Sequence, residues 1–297
     1  MKLLLENINH RCQYVYMRTV VIRKPKNNSL VAQLIALDEA FAGAQSSEEL
    51  QFDLSALNFC FPLLILPISA YINDARSGFV VSRDCQIKSY LDTVGFPGGI
   101  DSVTEFNAKI QADKTYVPIS RLKRDRGVER ERLETQFLKK IEQVVSDVPV
   151  ATNALCYPVT ELVGNIFEHS KKDEGYIFAQ FYPKVNSLDI CIVDCGRGLA
   201  RAYKDEKGLN LTDEQAIAEA LKGNSTKSNI ERGYGVRTSK RVVCEGLGGE
   251  FVMVSGSSAF VAKNGDQFAA DLQNINWRGV IIAYRIPRPT GSIDISP

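Results

Sequence analysis

Glu161-Leu162-Val163-Gly164-Asn165-Ile166-Phe167-Glu168-His169-Ser170 is the stretch on which the reading of this chain turns. Glu161, Asn165 and His169 recur four residues apart, so in a helix they share one face. Leu155, Leu162 and Ile166 fall on a different, apolar face. The pattern predicts a helix over 153–170. A carboxylate and a carboxamide one turn apart suit a water and a hard cation. The carboxylate can take a proton from an attacking water, and an amide oxygen ligates Mg2+ beside phosphate oxygens. Alone, Glu and Asn on a helix usually make a solvated face, so the segments that follow decide.

Downstream, 187–193 is an apolar run with strand character that ends in Asp194-Cys195-Gly196-Arg197-Gly198. An acid at a strand end can accept a hydrogen bond from an exocyclic amine such as adenine's, and two alternate glycines let backbone approach a flat ligand. Then come Gly223-Asn224-Ser225-Thr226-Lys227-Ser228 and Arg232-Gly233-Tyr234-Gly235-Val236, before a helix with Val236, Val242 and Val243 on its apolar side. Glycines before a helix N-terminus expose N–H groups that bind phosphate. Two strands close the region, 249–255 and 278–287.

A helical Glu-x-x-x-Asn, an Asp-x-Gly-x-Gly after a strand, and a Ser-Thr-Lys stretch before Gly-x-Gly resemble, in that order, the gyrase, chaperone, histidine-kinase and mismatch-repair ATPase superfamily (GHKL). The resemblance covers 129–290. It implies a Bergerat-type α/β sandwich whose sheet is mixed and largely antiparallel, with helices on one face and Mg2+-ATP between helices and lid. Glu161 would be the general base and Asn165 the Mg2+ ligand. Asp194 would recognise adenine, with Gly196 and Gly198 shaping that wall. Gly233, Tyr234, Gly235 and Val236 would meet the triphosphate under a lid carrying Thr226 and Lys227. His169 is expected to close the helix end. One position departs from the family: Gly279-Val280 stands where many members have Gly-Thr, so a hydroxyl contact to adenine is missing. A Rossmann site fits poorly, because Gly233 follows a polar stretch and the third glycine is lacking. No P-loop motif occurs.

The first hundred residues read as a separate small α/β domain, 1–100. Strands are expected over 2–8, 14–23, 50–54 and 79–82, and helices over 29–44 (capped by Ser29), 62–75 and 87–94. Phe52-Asp53-Leu54-Ser55 and Tyr90-Leu91-Asp92-Thr93-Val94-Gly95-Phe96 make this region similar to the STAS, or anti-sigma-antagonist, family. Where that family often carries a phosphorylatable serine, this chain reads Asn58-Phe59-Cys60-Phe61-Pro62, so a phosphorylation switch is not expected. A polar stretch over 101–128, containing Arg121-Leu122-Lys123-Arg124-Asp125-Arg126, reads as a solvated linker because acids are interspersed. A long helix begins at Glu129, with Leu133, Phe137, Ile141, Val144 and Val148 on one face.

The 297 residues suffice for two domains. A net charge of +1 gives no global field that would select nucleic acid or an acidic membrane. The seven cysteines are scattered and only two histidines accompany them, which suits reduced thiols in a cytoplasmic protein rather than a zinc site. The longest apolar stretch, 60–72, is broken by Pro62 and Pro67 and falls short of the about 20 residues a membrane span needs. The expectation is therefore an Mg2+-ATP-binding regulatory protein that hydrolyses ATP or switches through its lid, with a protein partner and with homodimerisation left open. The alternatives are a serine/threonine kinase of anti-sigma type and a nucleotide sensor without turnover. A histidine kinase is disfavoured, since His10 lies in strand-like sequence without a dimerising helix.

Overall fold

The structure, a computed structural model, describes residues 17–45, 48–111, 113–145, 152–224, 235–263 and 265–289. Within them the fold is α/β and is built on two sheets. The first is small and parallel. Its strands β1 (Arg18–Val21), β2 (Leu50–Asp53) and β3 (Gly78–Val80) lie in chain order and are joined through helices α1 (Leu30–Ala40) and α2 (Pro62–Asp74). Parallel neighbours cannot be joined by a tight turn, and the helices supply the crossovers. Ser29 caps α1, its hydroxyl accepting from the Ala32 N–H at 3.1 Å. Pro62 opens α2, where its missing N–H costs nothing. Helix α3 (Lys88–Val94) follows. The strand expected over 2–8 lies outside the described residues.

The second sheet has seven strands, and each of its pairings is antiparallel. They are β4 (Tyr116–Lys123), β5 (Glu174–Tyr182), β6 (Ser187–Asp194), β7 (Glu250–Gly256), β8 (Ser258–Lys263), β9 (Asp266–Asp271) and β10 (Trp277–Pro287), in the spatial order β4-β5-β6-β10-β7-β8-β9. The helices of this half are α4 (Val103–Lys109), α5 (Gly127–Val145), α6 (Thr152–His169), α7 (Gly198–Lys207), α8 (Asp213–Lys222) and α9 (Gly235–Arg241), the last running into a π turn over Val242–Gly246.

Helices were expected on one face of this sheet, and they cover both. Ile177, Ile190, Ile192, Met253 and Ile282 point to the side of α5–α9. Their strand neighbours Phe178, Cys191, Val193, Val252, Val254 and Ile281 point the other way, into a core shared with α1 and α2. Strands apolar on both faces need cover on both, and the N-terminal α/β unit provides the second layer. Helix α2 is accordingly buried almost all round, from Pro62 to Ala70 without a break.

The stretch read as a linker, 101–128, contributes α4 and the edge strand β4. Its basic side chains pair locally: Arg121 with Glu174, Lys123 with Asp101, Arg124 with Asp173. Val117, Ile119 and Leu122 are buried beneath them. Pro118 falls where the β4–β5 register shifts, between Val117 and Ser120, which is where an edge strand tolerates a residue without an N–H. No helix among the described residues is long and apolar enough to cross a membrane.

A buried polar knot joins the two halves. Asp189 on β6 is fully buried and takes a two-pronged contact from Arg285 on β10, at 2.6 and 2.7 Å. Gln33 of α1 donates to the same carboxylate at 3.2 Å and accepts from the Leu63 N–H of α2 at 3.3 Å. Burial pushes the Asp189 carboxyl up, and the guanidinium and Gln33 oppose it. Arg285→Ala is therefore expected to lower stability by about 3–5 kcal/mol, because an unpaired carboxylate stays behind. The Arg285→Met, Asp189→Leu pair should recover most of that loss. Urea unfolding of the three chains measures both.

Candidate functional site

Between α6, α7, the C-terminal end of α8 and the sheet lies a cavity with about 810 Å3 of empty space, partly continuous with solvent. Leu162, Ile166, Ile192, Met253 and Ile282 give it apolar walls, and Asp194 and Asn165 are set among them. Sequence-predicted residues from three distant segments therefore meet here: Asn165, Asp194 and Gly198, and Gly235 with Val236.

Asp194 ends β6 and is 4 % exposed. Its carboxylate accepts from the Gly196 N–H at 2.8 Å and from the N–H of Val280, the residue opposite it on β10. Burial pushes its pKa up to about 7, opposed by those two N–H bonds and by the charge of Lys172. A carboxylate so enclosed is a strong hydrogen-bond acceptor for a donor entering the cavity.

The glycines of the turn have distinct reasons to be glycine. Gly196 is packed on the end of α6, where a Cβ would collide with the Ser170 carbonyl, and it is not among the residues lining the cavity. Gly198 lines the cavity, begins α7 and has φ 70°, with a Cβ position only 2.9 Å from the Arg278 carbonyl oxygen. Arg197 fastens the turn to α6: its backbone N–H donates to the Ser170 carbonyl at 3.0 Å and its Nε to the His169 carbonyl at 2.8 Å. His169 is the last residue of α6, at the helix end as expected.

Glu161 and Asn165 stack on one face of α6 and meet the start of α9. A Cβ built at Gly235 would lie 2.9 Å from Glu161 Oε2 and 3.3 Å from Asn165 Nδ2, so the start of α9 sits directly against these two side chains. Among the described residues the amide nitrogen of Asn165 is buried and has no hydrogen-bond partner. Turned by 180°, the same carboxamide presents its oxygen at that place, the atom a Mg2+ ion takes. No group of three His, Cys, Asp or Glu side chains stands together among the described residues. A cation held by Asn165 would therefore draw its remaining ligands from bound phosphate and water, which is how Mg2+ is commonly held. The donor set fits that ion.

Thr226, Lys227, Gly233 and Tyr234 lie outside the described residues. The chain enters that segment from Asn224, whose carbonyl accepts from the hydroxyl of the buried Tyr203 on α7. Tyr203 and Leu199, both lining the cavity, were not anticipated from sequence, because α7 was not. The signal available was Gly198 itself, opening a stretch with Leu199, Ala202 and Tyr203 at helical spacing.

No protein-family model matches the chain, and none of the curated proteins compared with it is a significant match.

Asp194 has a consequence for stability. Its folded pKa of about 7 stands above the unfolded value of 3.8, so its contribution is fully present below 3.8 and is lost as the pH rises through 7. Asp194→Asn removes the charge and is expected to stabilise the ligand-free protein at pH 8 by roughly 2–4 kcal/mol. The gain should shrink steadily as the pH falls toward 4. Urea midpoints of both chains across that range provide the check.

Proposed function

We propose that this cavity binds Mg2+-ATP and that the chain is a regulatory ATP-binding protein of GHKL type. One observation carries the reading: a buried acid at a strand end, Asp194, shares a cavity with Asn165 of an acid-and-amide helix and with Gly235 of a glycine-led one. In that reading the Asp194 carboxylate accepts from the adenine amine, and apolar side chains such as Ile166, Met253 and Ile282 cover the ring. Val280 offers no hydroxyl to the base, and its N–H is already given to Asp194. Asn165 would hold Mg2+, which supplies charge neutralisation at the phosphates. Glu161, one turn away, would take the proton of an attacking water. The free thiols Cys60, Cys85, Cys156, Cys191, Cys195 and Cys244 suit a reducing, cytoplasmic setting.

Hydrolysis, transfer to a protein partner in the manner of an anti-sigma serine/threonine kinase, and binding without turnover all use the same site. Radiolabelled ATP with Mg2+ distinguishes them by where the label goes: free phosphate, a partner protein, or neither. Hydrolysis should vanish in Glu161→Gln while ATP binding persists.

Guanine presents an acceptor where adenine presents its amine, so a buried carboxylate rejects it. Calorimetric titration of the full chain should therefore show ATP bound far more tightly than GTP. Asp194→Asn should lose most of that preference, although it raises ligand-free stability. Equal affinity for ATP and GTP, or no binding of either, would sink the reading.

A further inference from the structure

Asp194 is gripped through its backbone as well as its side chain. Its carbonyl accepts from the indole N–H of Trp277 at 2.9 Å. Trp277 is the one tryptophan of the chain and is 4 % exposed. It is the first residue of β10, and between it and Val280 the pairing with β7 shifts register. Gly279 lies inside that shift, so close to Asp194 that a Cβ there would strike the Asp194 carbonyl. The irregularity leaves no slack between the tryptophan and the acid.

The ring of Trp277 packs on the N-terminal unit. Phe41, just beyond α1, meets it edge-on with centroids 6.4 Å apart, and Tyr71 of α2 meets it tilted, also at 6.4 Å. Phe41 and Tyr71 are themselves 5.0 Å apart and edge-to-face, and the Tyr71 hydroxyl is fixed by donating to the Glu48 carbonyl at 2.7 Å. Three residues beyond Tyr71, Asp74 accepts from the ammonium of Lys172, the same cation that faces Asp194. The N-terminal unit thus reaches the backbone of Asp194 through one aromatic chain and its electrostatic surroundings through another contact.

We propose that Trp277 is a positioning residue for base recognition, through which Phe41 and Tyr71 of the N-terminal unit set the Asp194 turn. The inference rests on the reading of the cavity as an ATP site. Its indole N–H fixes the Asp194 peptide, and that peptide sets where the carboxylate leaves the strand. Occupation of the cavity and packing of the N-terminal unit are then felt at the same ring.

The test uses the full chain and its ATP and GTP affinities. Trp277→Phe keeps an aromatic ring and deletes the donor. It should raise the ATP Kd about tenfold, the worth of one hydrogen bond to a buried group. The preference for ATP over GTP should narrow by a similar factor. Phe41→Ala leaves the indole in place, removes its support, and should move the preference in the same direction. A residue that only stabilised the fold would change the folded fraction and leave the ratio of affinities untouched. In the wild-type chain, saturating ATP should also shift the emission of Trp277. If both variants fold and keep the wild-type ATP-to-GTP ratio, the proposal is overturned while the ATP reading stands. If neither folds, an emission unmoved by saturating ATP overturns it. A wild-type chain that binds no nucleotide removes the ATP reading and this inference together.

Discussion

The contact between Asp189 and Arg285 sets the frame for the rest of the molecule. The two residues are directly opposite one another on β6 and β10, and Gln33 closes the group from α1. Such a pair adds little net stability over an apolar substitute of the same size, since both ions must leave water. What it does enforce is register. A slip of one residue between β6 and β10 would separate the acid from its partner and turn every side chain of one strand to the wrong face.

The same register builds the candidate site. Five residues along the two strands from the Asp189–Arg285 pair, Val280 stands opposite Asp194 and can give that carboxylate its N–H. Asp189 and Asp194 lie on one strand but face opposite sides of the sheet. The first is matched by a guanidinium and points into the seam with the N-terminal unit. The second has only N–H donors and a nearby lysine, and points into the cavity. One strand therefore carries an acid matched by a guanidinium and an acid that faces the cavity, and only the pleat separates them.

Local signals in the sequence were reliable wherever local physics decides. Ser29 as a cap, Pro62 at a helix start and the face shared by Glu161 and Asn165 are all found where the residue pattern put them. The meeting of residues from three segments at one cavity was legible because their chemistry is unusual for their positions: an acid at the end of an apolar strand, glycines flanking helix starts. The charge pairing inside the run 187–193 was not legible, since Asp189 looks like a solvent-facing break until Arg285 is placed beside it. Strand β4 was hidden by Pro118 and by the half-buried Arg121 and Lys123, whose acid partners Glu174 and Asp101 come from outside the strand. Helix α8 announces itself by a capping box, Thr212 with Gln215, that a reading centred on the glycines passed over. Trp277 could not be found from sequence at all, because its role exists only once β10 lies beside β6.

The buried helix α2 bears on how the halves are related. A helix covered on every side is the interior of something, and here it is the interior of both halves at once. Tyr176, Phe178, Val193, Val252 and Val254 of the large sheet are buried in that common core. Cutting the chain at 101–128 would leave the residues of the candidate site intact and strip the sheet behind them bare, a broad greasy wall prone to stick to its own kind. The seam is a core and not a hinge between modules. The two halves are bound to change together, with substitutions at Phe41 or Gln33 answerable to residues more than two hundred positions away in the case of Trp277 and Arg285.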